Sequence, residues 1–245
     1  MSHASPPPSS GPSSSGIGSS AAGPSKTGLS KTGLANLSPI EQLRAPRLPR
    51  RLIQLFVGLS IYGISMALVI RSVLGQLPWD VFHVGVASHL PLTIGEVIIG
   101  VSFVVLLLWI PLRQMPGLGT IANAIWIGLA TDVMLSVLSV PTHLWLRVLM
   151  MVAGIFLNGV ATAMYIGSQL GPGPRDGLMT GLSRRTGWSL RLVRTAMEIT
   201  VVVLGWLLGG TFGLGTILYA LTIGPLTQTL LPWFTVSLEP GDSAR

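Results

Sequence analysis

Two carboxylates, Asp80 and Asp176, stand in the same sequence setting. Leu74-Gly75-Gln76-Leu77-Pro78-Trp79-Asp80 and Leu170-Gly171-Pro172-Gly173-Pro174-Arg175-Asp176 share the pattern Leu-Gly-x-x-Pro-x-Asp. Gly closes a helix at no steric cost. Pro opens the next one, because its missing N–H would be unpaired there anyway. An Asp in the first turn then meets the positive end of the helix dipole. Read this way, the motif is a helix stop and start. A second reading uses the same geometry. Interrupted segments at matching positions of two halves of a membrane protein point to a site near the membrane midplane. Two carboxylates at such a site bind a cation, a proton or an amine. Arg175 is placed to neutralise Asp176, which would make the two positions unequal.

Other polar residues lie in apolar surroundings. Glu198 follows Arg194 by four residues, so one helix face carries both, and their mutual neutralisation is expected. Asp132 has no partner nearby in sequence, and a bundle interior or an exit interface suits it. Glu96 begins an apolar stretch and reads as interfacial. Thr120 and Thr216 sit in repeated Gly-Leu-Gly-Thr blocks. Small residues there let helix backbones approach closely, and contact of the hydroxyls with substrate is the rival reading. Asn158 and Tyr165 are placed to hydrogen-bond across helices or line a path. His83 and His89 are expected to be solvated. Trp79, Trp109, Trp145, Trp188 and Trp233 fall near the ends of apolar stretches, as aromatic-belt residues do. No Ser/His/Asp arrangement, phosphate loop or metal-ligand spacing occurs, so neither an enzyme nor a resident cofactor or metal is expected. With no cysteine, thiolate chemistry and disulfides are excluded.

The elements that hold these residues are membrane helices. Of the 245 residues 49% are hydrophobic and 9% charged, and the mean hydropathy is +0.67. A soluble domain carries about 25% charged residues. The expected fold is an all-α polytopic bundle whose first partner is the lipid bilayer. Six stretches are long enough to span, which takes about 20 residues: 52–70, 94–112, 118–138, 147–167, 192–209 and 214–231. Two shorter ones, 78–90 and 174–186, read as half-helices or re-entrant segments. Residues 1–49 read as a disordered basic cytoplasmic tail, 50–140 and 141–232 as two membrane repeats, and 233–245 as a short C-terminal tail.

The repeat shows when the chain is compared with itself. At a shift of 96 residues, 23 identical pairs join 58–131 to 154–227 without a gap, Gly117-Leu118-Gly119-Thr120-Ile121 against Gly213-Leu214-Gly215-Thr216-Ile217 among them. Three spans per half would insert the halves with opposite topology. With both termini cytoplasmic, thirteen basic residues then lie inside and two, Arg71 and Arg147, outside. Four crossings per half would split them about twelve to three, so charge alone does not decide. The net charge of +7 follows from topology and implies no nucleic acid.

The chain resembles the YczE-like bacterial integral membrane proteins, often grouped with the YitT-type proteins. The resemblance rests on Leu74-Gly75-x-x-Pro78-Trp79-Asp80-Val81, Trp109-Ile110-Pro111-Leu112-Arg113, Pro116-Gly117-Leu118-Gly119-Thr120 and Gly171-Pro172-Gly173-Pro174-Arg175-Asp176-Gly177-Leu178-Met179. It covers roughly residues 50–232, and it implies a multi-pass protein of the bacterial plasma membrane without assigning site residues. The residues themselves predict a small secondary transporter or exporter of an unknown small molecule or ion, with its site between the repeats. The alternative is a non-transporting accessory component of a biosynthetic or envelope complex. Self-association into a homo-oligomer stays open.

Overall fold

The computed structural model describes residues 37–238, and over that range the secondary structure is helical. The elements are α1 (Pro39–Arg44), α2 (Leu48–Ser72), α3 (Pro78–Ala87), α4 (Ile94–Leu112), α5 (Leu118–Val137), α6 (Leu144–Gly167), α7 (Pro174–Thr186), α8 (Leu190–Leu207) and α9 (Leu214–Phe234). Helices α2, α4, α5, α6 and α9 are long and apolar enough to cross a membrane. The stretch expected as the fifth span, α8, has 18 residues but carries Arg191, Arg194 and Glu198 among them. Short helices α3 and α7 have 10 and 13 residues, so at 1.5 Å per residue they run only about 15 and 20 Å. Large apolar side chains such as Leu107, Ile110, Leu207 and Leu221 are left exposed, as a lipid-facing surface requires.

Two boundaries differ from the sequence reading. Residues 37–49 are not a disordered tail. Ser38 and Glu41 form a reciprocal capping box that starts α1. The Ser38 backbone N–H donates to Glu41 Oε2 at 2.8 Å and, with the adjacent Ser38 hydroxyl, holds the Glu41 carboxyl below its ordinary value. At the other end, α9 runs on to Phe234, and Val236 is buried with its N–H bonded to Gly167 O at 3.0 Å. The remainder of the expected tail, including the tandem Ser-Lys-Thr-Gly-Leu units at 25–34, lies outside the described residues.

The helices of the two halves start in register. Leu48, Pro78, Ile94 and Leu118 become Leu144, Pro174, Leu190 and Leu214 at the 96-residue shift. Backbone detail repeats as well. Gly75 and Gly171 both have φ +118°, and Val73 and Gln169 both adopt left-handed φ, at 55° and 56°. Each helix therefore ends earlier than its Gly, and the Gly turns the chain toward the Pro that opens α3 or α7.

Helices α2 and α6 pack side by side and antiparallel, as their end contacts show. Arg51, fully buried at the start of α2, donates to Ser168 O at 2.8 Å and Gln169 O at 2.7 Å, and to Gln42 O of α1 at 2.7 Å. Arg147, at the start of α6, donates to Ser72 O at 2.8 Å and Val73 O at 3.2 Å. Each arginine thus caps the carbonyls that the other helix leaves open at its C-terminus. Midway, Gly58 and Gly154 admit the opposite helix, since a Cβ on them would meet Met164 Cβ at 2.9 Å and Val69 Cγ2 at 2.6 Å.

Around this pair the halves exchange parts. Short helix α3 lies on α8, and α7 lies on α4. Gly215 N donates to Leu74 O at 2.9 Å, and Gly119 N donates to Leu170 O at 2.7 Å. The loop before each short helix is thereby tied to the Gly-Leu-Gly-Thr block of the other half.

A candidate functional site between α7 and α3

A cavity of about 610 Å³ lies between α2, α5, α6, α7, α8 and α9, within the range of ordinary ligand pockets. Its mouth is at the end marked by Leu37 and Pro39 near α1 and by Gln114, Met115 and Arg184. Its floor is the start of α3, Leu77-Pro78-Trp79. All three tyrosines of the chain, Tyr62, Tyr165 and Tyr219, face it from α2, α6 and α9.

One difference between the halves leaves this space. Helix α4 packs along α5, and Gly128 makes the contact so tight that a Cβ would stand 2.5 Å from Gly95 O. In the second half α8 stands off α9, and the matching Gly224 has nothing within 4 Å of a built Cβ.

The repeated acids occupy unlike surroundings. Asp176 lines the cavity and accepts a hydrogen bond from the Tyr165 hydroxyl. Asp80 is fully buried and does not line it. His83, one helical turn on, places Nδ1 3.4 Å from Asp80 Oδ1, and both carboxylate oxygens lack a hydrogen bond. His83 is thus buried rather than solvated, because α3 is covered by α8 on the side expected to face water. His89 is exposed, as expected.

Arg175 forms no close ion pair with Asp176, although Asp80 and Asp176 both lie in electrostatic range of it. Its guanidinium lies over the Trp79 ring, 5.1 Å from the centroid. Trp79 and Arg175 are themselves 96 residues apart, so equivalent positions of α3 and α7 meet across the molecule. This corrects Trp79 as a belt residue. Trp109 is corrected too, for it is buried and donates from Nε1 to Pro174 O at 2.9 Å, fixing the start of α7. Trp145, Trp188 and Trp233 remain exposed.

Arg194 and Glu198 form the expected pair, Nε to Oε1 at 2.8 Å, on the α8 wall of the cavity. Asp132 is not brought to the cavity. It caps α4, accepting from Thr93 Oγ1 at 2.5 Å and Gly95 N at 2.7 Å, while Glu96 completes a capping box with Thr93. The threonines serve their own turns. Thr120 Oγ1 accepts from Gly117 N at 3.2 Å and donates to Pro172 O at 2.7 Å, and Thr216 Oγ1 accepts from Gly213 N at 3.3 Å. Asn158 links Ser65 Oγ, at 2.9 Å, to the Tyr219 hydroxyl, at 3.1 Å, behind the cavity wall.

Sequence reasoning missed Tyr62, Tyr219 and the arginine clamp. Tyr62 and Tyr219 align with Asn158 and Asn123, so identity between halves could not mark them. Arg51 and Arg147 are a matched pair that lies just outside the compared segment, and extending it by seven residues would have found them.

Helices of this length and surface make the chain a multi-pass membrane protein. Its relatives give the family. Residues 49–232 match a family described as of unknown function, DUF6198, and the chain belongs to it. An uncharacterized protein of Haemophilus influenzae is 43% identical over 177 residues, covering 72% of this chain and 81% of that protein. The uncharacterized membrane protein YczE of Bacillus subtilis is 34% identical over 180 residues, with 72% and 83% covered. The uncharacterized protein YyaS of the same organism is 28% identical over 183 residues, with 72% and 90% covered. The YczE-like resemblance is therefore a family relationship. No solved structure matches the chain.

Proposed function

We propose that the chain is a secondary transporter built from two inverted-topology repeats, with α8 as the sixth span and the cavity as its substrate site. The observation that carries this reading is the unequal state of equivalent parts. In the first half α4 is shut on α5 and Asp80 is sealed. In the second, α8 stands off α9 and Asp176 faces a cavity with a mouth at one end. Exchanging those two states would close the mouth beside α7 and open the end beside α3, which is alternating access by repeats around a fixed centre. The 96-residue register of the helix starts and the antiparallel α2–α6 pair support inverted repeats. So does charge: with α7 on the cytoplasmic side the outside keeps two arginines, and Arg71 and Arg147 are both bonded to carbonyls, Arg71 to Leu135 O at 2.6 Å.

The test uses the absence of native cysteine. In the exchanged state Arg191 and Gly224 would occupy the relation that Gly95 and Gly128 have here. Arg191→Cys with Gly224→Cys should therefore cross-link under mild oxidation in membranes. A pair that stays reduced while each single cysteine reacts with a small maleimide overturns the reading.

A further inference from the structure

We infer that the cavity takes a small organic monoanion, one carboxylate on an apolar or aromatic body, with Arg175 as its charge partner. The inference rests on the transport reading for its role but on separate observations for its chemistry. Arg175 is a cavity-lining guanidinium with no ion pair within 4 Å and no hydrogen bond among the described residues; it lies over the face of Trp79, with Asp80 and Asp176 in electrostatic range. Five N–H donors in a planar fork are unused, and a carboxylate satisfies two of them in parallel. The acids nearby do not take that place. Asp176 is engaged by Tyr165, Asp80 is off the cavity beside His83, and Glu198 is held by Arg194.

The rest of the wall fixes the class. Ile127, Ile166, Met179, Met197 and Ile223 line the cavity, and the Trp79 ring lies at its floor. Such a wall suits an apolar body. Exposed Arg184 at the mouth attracts anions toward it. Arg194 is already paired, so Arg175 and Arg184 are the cations left to face a ligand, and Asp176 on the same wall disfavours a second negative charge. Binding also has a structural consequence. A carboxylate that competes for Arg175 weakens its hold on Trp79, and so it favours a floor that is free to move.

The experiment measures thermal stabilisation of the full purified chain in detergent by benzoate, benzylamine and benzyl alcohol, at one ionic strength. Benzoate alone should raise Tm, saturably. Arg175→Gln should weaken its apparent affinity at least tenfold, and Arg175→Lys should retain part of it, since it keeps the charge without the fork. A larger shift with benzylamine, no shift with any of the three, or an unchanged benzoate response in Arg175→Gln overturns the inference. The outcome is separable from the transport reading. A 191–224 cross-link without benzoate binding removes only the substrate class, and benzoate binding without the cross-link leaves an anion site in a protein that does not alternate.

Discussion

The two short helices are made from one pattern and end in opposite circumstances. Helix α3 closes its end of the molecule, with Asp80 and His83 buried beneath α8. Helix α7 opens on a cavity, with Asp176 held by a tyrosine and Arg175 reaching to the far end. The partners decide this rather than the repeated motif. The position after Pro is Trp79 in one and Arg175 in the other. The residue a turn after Asp is His83 or Met179. The residue across from Gly205 is Val81, whereas Gly177 admits Trp109. Shared residues set the backbone, and residues that differ set which end is sealed.

The largest expected break comes from the two clamps. Arg51→Met removes the donor to two buried carbonyls and one half-buried one, at about 1–3 kcal/mol for each group left unsatisfied, and the variant should fail to accumulate or unfold far below the wild type. Arg147→Met frees two carbonyls nearer the surface and should cost clearly less. Equal losses in thermal unfolding would mean the clamps are not ranked by burial. Next come the two glycines at the contacts of the short helices, Gly205 of α8 beneath α3 and Gly177 within α7 against α4. A Cβ at Gly205 would stand 2.4 Å from Phe82 N, a backbone atom, while one at Gly177 would strike the Trp109 ring at 1.9 Å. A ring can shift and a backbone cannot easily do so. Gly205→Ala should therefore lower Tm more than Gly177→Ala, within the roughly 1–3 kcal/mol of overpacked cores.

A smaller effect separates the acids by sign. Asp80→Asn replaces a buried carboxylate that makes no hydrogen bond and has only the 3.4 Å approach of His83 beside it, and should raise stability by about 1 kcal/mol. Asp176→Asn loses a charge-assisted bond from Tyr165 and should lower it by a similar amount. On the transport reading both abolish flux, and opposite stability changes with common loss of flux would show that folding does not explain the loss. Two stabilised variants would instead place both acids in equivalent surroundings. The smallest effect belongs to α1 at the mouth. Its capping carboxylate, Glu41, has a lowered pKa, so the cap is fully present above the usual carboxylate range and is lost as pH falls through the lowered value. Hydrogen exchange over residues 38–45 should rise only in that acid window, and not in Glu41→Gln, where the step is absent.

Much of the architecture was legible because a span, a stop and a start are local events. Pro78, Pro174, Gly75 and Gly171 do what their covalent structures dictate, and the helices begin where the pattern places them. The pairing of Arg194 with Glu198 was readable for the same reason, since one helix sets the spacing. What was not legible depends on which faces meet. His83 looked solvated until α8 covered it, Trp79 looked interfacial until Arg175 reached it, and Asp132 had no partner until Thr93 and Gly95 arrived from a different helix. Residues 37–49 were misread for another reason. Their composition is that of a tail, but Gln42 is tied to Arg51 through a carbonyl, a contact no local pattern announces.

The bonds from Gly215 to Leu74 and from Gly119 to Leu170 have a consequence for biogenesis. When the ribosome has delivered the first half, the turn before α3 still lacks the amide that will satisfy Leu74, which lies 141 residues downstream. That turn has to wait, held in water or by an insertase, because lipid cannot supply the missing donor. Each half thus holds a carbonyl that an amide of the other half satisfies, which couples the maturation of the two even if they were made as separate polypeptides.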